Sequence, residues 1–207
     1  MITIQIGKIS DGSLFTLSFE QLPHLFVSYQ NKLELDGLLN RFLIVNDKSF
    51  NESLVIASED FLSNSLAIKS NTNNYIYNNP DRGSIKQKGK IFSQFFAAFK
   101  KARKQQKENT NRLIIIDDIW TFVPKLNAGA ITQFKELLNV GAEFGFYFII
   151  GSSMPYRNLL LQLMSEQSNN LNNRVLNQLG AEVIFNPDGL IFFRKKNSID
   201  YVSLYPI

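Results

Sequence analysis

The sequence predicts an α/β fold: a mostly parallel central sheet flanked by helices, with an N-terminal β-hairpin and antiparallel strands near the C-terminus. Three observations carry this. Residues 113–116 and 146–150 are continuous apolar runs, the pattern of strands buried on both faces. Helical spacing marks Leu38, Leu39, Phe42 and Leu43, then Ile91, Phe92, Phe95, Phe96 and Phe99, then Phe134, Leu137, Leu138 and Gly141. Strands alternating with helices imply crossover connections and a sheet covered on both sides.

In order, residues 2–6 and 14–18 are short apolar runs separated by Asp11-Gly12-Ser13, which predicts the hairpin. Pro23 precedes a strand over 25–28, then a loop from Tyr29, then a helix ending near Val45-Asn46. A strand is predicted at 54–57, and two short ones at 66–69 and 74–77 around Ser70-Asn71-Thr72-Asn73. Asn78-Asn79-Pro80-Asp81 with Gly83 forms a loop, and a helix runs on from about Gln87. The strand at 113–116 ends in Asp117-Asp118, a helix spans 130–142, and the strand at 146–150 closes in Gly151-Ser152-Ser153. Residues 157–165 read as helix, 168–173 as an asparagine-rich loop and 174–179 as a short helix. Strands follow at 183–185, 190–194 and 201–205, the first two joined by the turn Asn186-Pro187-Asp188-Gly189.

A length of 207 residues suits one well-buried core, so residues 1–207 are expected to form a single domain. The absence of cysteine excludes disulfides and thiolate chemistry, and with His24 as the single histidine a zinc site is excluded as well. No secretory leader opens the sequence, and no apolar run approaches the ~20 residues needed to cross a bilayer. The chain is therefore expected to be cytoplasmic, with no direct membrane insertion. A net charge of +4 permits contact with nucleic acid without requiring it. The charge is concentrated between Arg82 and Lys107, which holds no acidic residue and includes Lys100, Lys101, Arg103 and Lys104. That stripe reads either as a solvated helix face favourably placed at a helix C-terminus or as a phosphate-binding surface.

Four apolar residues followed by Asp117 and Asp118 form a Walker B arrangement, in which the first carboxylate holds Mg²⁺ and the second activates water. The other reading of these acids is as strand-end carboxylates hydrogen-bonded to loop backbone. His24 reads as a packed histidine, and Trp120 as a packing residue or a partner anchor. Ser152 and Ser153 lack the flanking pattern and the base that a nucleophile elbow needs.

Laid end to end, the chain resembles the FtsK/SpoIIIE-type DNA translocases and the related type VII secretion ATPases. Pro23-His24-Leu25-Phe26-Val27-Ser28 is similar to the strand that leads into that family's Walker A loop, and Leu39-Asn40 fits the helix after it. The phenylalanine-rich helix ending in basic residues, the run 113–118, and 141–155 with its Gly151-Ser152-Ser153-Met154-Pro155 end follow in the family's order. So do 175–182, similar to an LDQGGAE segment, and 188–193, similar to a closing GDMLF-like strand. The family's strand between the end of 141–155 and the segment 175–182 is shortened or absent. The resemblance implies a RecA-like P-loop NTPase fold.

Its departures fall on the chemistry. The family's GxTGSGKS loop corresponds to Tyr29-Gln30-Asn31-Lys32-Leu33-Glu34-Leu35-Asp36, so Leu35 holds the lysine position and Asp36 the Mg²⁺-binding hydroxyl position. Side chains replace the glycines that let backbone approach a phosphate, and Glu34 and Asp36 would repel one. Lys32 reads as a surface lysine ahead of the helix. Asp118 replaces the catalytic glutamate, Ser153 the glutamine that senses the γ-phosphate, and Met154 an arginine. Tyr29, Lys32, Glu34, Leu35 and Asp36 are thus expected to be a vestigial phosphate loop, with Asp117 a metal ligand only if Mg²⁺ binding survives.

The expectation is a catalytically inactive ATPase-like domain, a structural or regulatory component of a DNA-translocation or secretion machine. Its partner would be another protein or a ring-forming homologous ATPase, and it would need no cofactor. Two alternatives stand beside it. One is an ATPase that binds ATP and Mg²⁺ through Lys32, Arg82 or a partner's arginine. The other is a DNA-binding module using Lys100, Lys101, Arg103 and Lys104.

Overall fold

A computed structural model describes residues 2–19, 22–46, 49–65, 75–78, 85–105, 111–122, 128–153, 181–185, 191–195 and 202–205. The chain opens with β1 (Thr3–Lys8) and β2 (Leu14–Ser18), antiparallel partners that form the expected hairpin. Then come β3 (His24–Ser28), α1 (Lys32–Val45), β4 (Glu52–Ile56), α2 (Glu59–Asn64), β5 (Tyr75–Asn78) and α3 (Ile85–Gln105). After these, β6 (Arg112–Ile116), α4 (Ile119–Phe122), α5 (Ala128–Val140), a 3-10 turn (Gly141–Phe144) and β7 (Phe146–Ser152) lead to β8 (Ala181–Phe185), β9 (Ile191–Lys195) and β10 (Val202–Leu204).

Among the described residues the main sheet has eight strands in the order β10-β9-β8-β3-β7-β6-β4-β5. Neighbouring pairs from β8 through β5 are parallel, and β9 and β10 add antiparallel strands at one edge. Strand alternation sends two sets of side chains to opposite faces. Leu25, Val27, Val55, Leu113, Ile115 and Ile149 pack with α1 and the hairpin. Phe26, Leu54, Ile56, Ile114, Ile116, Phe148 and Ile150 pack with α3 and α5. Both faces are dry, which is why β6 and β7 read as unbroken apolar runs.

Helix α1 forms because Leu35, Leu38, Leu39, Phe42 and Leu43 recur on one face, and all five are buried. Its start differs from the expectation of a loop reaching Asp36. Asn31 caps the helix, its Oδ1 accepting from Leu33 N–H at 3.1 Å, so the first turn begins at Lys32. Its far end is held by Asn46, whose Nδ2 donates to Thr3 O at 2.7 Å and Phe42 O at 3.0 Å, pinning the hairpin to the helix. The hairpin's other tether is a reciprocal pair between the Lys8 and Tyr205 backbones, 2.8 Å in each direction.

Helices α2 and α4 have no counterpart in the sequence reading. The helix expected at 130–142 begins at Ala128 and ends as α-helix at Val140, where the 3-10 turn takes over. The strand expected at 66–69, the segments 157–165, 168–173 and 174–179, and the turn at 186–189 lie outside the described residues.

Candidate functional site

The ends of parallel strands fix the site. Ser28 pairs in register with Ser152, Ile116 with Ile150, and Ile56 with Ile116, so β3, β7, β6 and β4 finish side by side. Strand β7 lies between the strand that feeds α1 and the strand that ends in Asp117. Ligands of open α/β sheets gather at this carboxyl edge.

Only Tyr29, Gln30 and Asn31 separate β3 from α1, and Tyr29 N–H donates to Ser152 O at 3.0 Å, tying the connection to β7. This brings the first turn of α1 directly over the strand ends. Lys32 is the first helical residue, and its Nζ donates to Asp117 Oδ2. The sequence reading of Lys32 as a surface residue ahead of the helix is thereby corrected. Its missed partner is 85 positions away. The same Asp117 oxygen accepts from Ser58 N–H at 2.8 Å. Ser58 also caps α2, its Oγ accepting from Phe61 N–H at 3.4 Å.

Leu35 lies one turn on from Lys32. It is fully buried in the apolar layer shared with α1, and its Cδ2 would lie 2.7 Å from a Cβ built on Gly151. Asp36, one residue on, is half-buried, and its Oδ1 is enclosed with no hydrogen-bond partner among the described residues. Burial raises its carboxyl above the ordinary value, Lys32 partly offsets this, and the charges of Asp117 and Asp60 add to it. Burial also raises the Tyr29 phenol, reinforced by Asp118, Asp117 and Asp36. Tyr29, Lys32, Asp36, Asp60, Asp117 and Asp118 therefore share one electrostatic neighbourhood with a single cation among them. Glu34 lies in the same first turn. No group of three or more His, Cys, Asp or Glu among the described residues is placed to hold a metal ion.

The remaining site residues stand apart. Ser153 is exposed just beyond β7. Lys100, Lys101, Arg103 and Lys104 are exposed at the end of α3. That end lies at the opposite edge of the sheet, because Phe99 packs on Phe144 and Phe146 where β7 begins. There Arg103 Nη1 donates to Glu136 Oε1 at 2.7 Å, and Lys100 Nζ sits 5.0 Å from the Phe96 ring centre. His24 is buried, its ring edge-on to Phe148 at 5.3 Å, and burial pushes its imidazole down to about 4 despite backbone hydrogen bonds at Leu138 and Pro23. Arg82 and Met154, and the side chain of Trp120, lie outside the described residues.

Solved structures with this arrangement decide the fold. ATPases 2 and 3 of EccC from Thermomonospora curvata, in complex with a signal sequence peptide, superpose with a TM-score of 0.71 at 15% identity, over 99% of this chain and 40% of that one. ATPases 2 and 3 of EssC from Geobacillus thermodenitrificans give 0.71 at 12% identity, over 99% and 41%. The pCW3 conjugation coupling protein TcpA with ATPγS gives 0.64 at 11% identity, over 98% and 65%. The chain has the RecA-like fold of an FtsK/SpoIIIE-type P-loop ATPase domain. It spans about two-fifths of the length of the EccC and EssC chains. No family model matches the sequence. No curated protein matches it either.

Strand β3, the helix α1 after it and the strand β6 ahead of Asp117 lie where the sequence predicts them. What sequence reasoning missed is Ser58 and Asp60, and the pairing of Lys32. The signal for the first two was present in Ser58-Glu59-Asp60-Phe61, a cap followed by first-turn acids. Among the described residues no helix is long and apolar enough to cross a membrane.

Proposed function

We propose that this domain is a catalytically inactive ATPase-like component of a DNA-translocation or secretion machine, serving a structural or regulatory role beside a ring-forming homologous ATPase or another protein partner. The observation that supports the reading is the burial of Leu35, which the sequence resemblance sets at the family's lysine position, against the end of β7. A phosphate loop presents several backbone N–H groups around an anion and a lysine toward it. Here the connection is Tyr29-Gln30-Asn31 alone, and the Asn31 side chain takes up the Leu33 N–H of the α1 terminus. The acids Asp36, Asp60, Asp117 and Asp118 would confront a triphosphate with like charge. On this reading these residues do not fit a Mg²⁺-nucleotide.

Loss of hydrolysis leaves the outer faces of the fold free to hold a place in an assembly. The test is phosphate release from Mg-ATP by the purified chain, alone and with duplex DNA. The reading expects a rate equal to the protein-free blank; turnover that disappears in Asp117→Asn overturns it.

One observation favours a second reading, a nucleotide site with displaced contacts. Lys32 stands in the first turn of α1 beside the Walker B-like acid, and in this reading it is the cation that meets the phosphate. In that case Mg-ATP binding is abolished by Lys32→Ala.

A further inference from the structure

We propose that the outer face of α1 is an interface between two copies of this chain, packed antiparallel about a two-fold axis beside Gly37, with Leu33 of each copy against Ile44 of the other and Glu34 of each against Arg41 of the other. The inference does not depend on whether nucleotide binds.

Helix α1 buries Leu35, Leu38, Leu39, Phe42 and Leu43 against the sheet and the hairpin, so its opposite face is the one that should be polar. It is not. Leu33 is 75% exposed, Ile44 56% and Val45 58%, and these three are half of the exposed large apolar side chains among the described residues. At about 100° per residue, Leu33, Gly37 and Ile44 fall within about 40° of one another, and Glu34, Arg41 and Val45 line the flank beside them. Single exposed apolar residues are ordinary, whereas a patch of them on one helix marks a surface that another molecule covers.

Gly37 stands in the middle of that face. Glycine is the poorest helix former after proline, and nothing described within the chain calls for it. A Cβ there would meet only Arg41 Nη1, at the ordinary contact distance of 3.7 Å. A missing side chain at the centre of an outer face lets a second helix come close. Arg41 lies back over this position, half-buried, its Nε enclosed and without a hydrogen-bond partner among the described residues. Burial lowers its guanidinium, and no acid offsets the effect. Glu34, on the same flank, has no ion-pair partner among the described residues either.

The face is complementary to itself. Glu34 and Arg41 lie equally far on either side of the midpoint between Gly37 and Leu38, and Leu33 and Ile44 on either side of a point one residue further on. One two-fold rotation therefore matches both pairs to within about 1.5 Å along the helix, the rise of a single residue. A parallel arrangement would instead set Glu34 against Glu34 and Arg41 against Arg41, which like charge opposes. Charge thus selects a second antiparallel copy as the occupant. One helix per copy makes a small interface, so association is expected at tens of micromolar, roughly, rather than nanomolar.

The test is analytical ultracentrifugation of the full chain from about 1 to about 500 µM. The wild type is expected to pass from monomer to dimer, and Glu34→Arg and Arg41→Glu are each expected to weaken the dimer at least tenfold, roughly, because like charges then face each other. An equimolar mixture of the two variants restores opposite charges at both contacts and is expected to form a heterodimer as tight as the wild type. A wild type that stays monomeric throughout, a dimer that neither variant weakens, or a mixture no tighter than the variants alone overturns the proposal. If Arg41→Glu does not fold, Ile44→Asp at the exposed end of the face decides: a monomer with wild-type Tm supports the interface, and an undiminished dimer overturns it.

Discussion

Leu35 packs directly against Gly151. A Cβ on Gly151 would stand 2.7 Å from Leu35 Cδ2 and 2.2 Å from Asp117 O, so the helix α1 and the strand ends of β6 and β7 are in contact without room for one methyl group. Gly151→Ala therefore forces backbone apart. With overpacking costing about 1–3 kcal/mol, and more where the clash is with backbone, thermal denaturation is expected to show Tm lowered by about 5–10 °C. An unchanged Tm would mean that the packing is looser than this.

Leu35 itself is fully buried, so its loss has a defined cost. Leu35→Ala is expected to destabilise by about 2–5 kcal/mol in urea denaturation. Leu35→Lys is expected to destabilise at least as much, because the ammonium enters an apolar layer. It is not expected to confer ATP binding, a point that the same protein tests by nucleotide titration.

His24 predicts a pH dependence. Its imidazole is pushed down to about 4 by burial, while the unfolded chain titrates near 6.5. Between these values the unfolded state binds more protons, so stability is complete above pH 6.5 and is lost as pH falls toward 4. The loss amounts to about 3 kcal/mol at most. Denaturation midpoints at pH 7, 5.5 and 4.5 should fall in that order, and His24→Leu should flatten its share of the slope.

Asp36 acts with the opposite sign. Its carboxyl is raised, chiefly by burial, so the folded state holds its proton to higher pH than the unfolded state and loses stability as pH rises above 3.8. Asp36→Asn, which mimics the protonated form, should raise Tm at pH 7 and do so less near pH 4. A lower Tm at pH 7 would show that the attraction to Lys32 outweighs burial.

The sheet was legible in the sequence because burial on both faces erases alternation. The runs at 113–116 and 146–150 therefore announced β6 and β7, and helical spacing announced α1, α3 and α5. The short helices were not legible. A helix such as α4, Ile119–Phe122, is too brief to show a period, and α2 was signalled only by the Ser58 cap and the first-turn acids Glu59 and Asp60. The start of α1 was readable in Asn31, with Glu34 three residues on, but alignment to a glycine loop masked the capping signal. The Lys32–Asp117 contact was beyond reach for a different reason. It joins residues 85 positions apart on different elements of the fold.

The central claim, that Leu35 and its acidic neighbours leave no nucleotide site at the end of β3, is tested most directly by isothermal titration calorimetry of the wild-type chain with Mg-ATP. The account predicts no saturable heat up to millimolar nucleotide. A saturable isotherm with a micromolar Kd would contradict it.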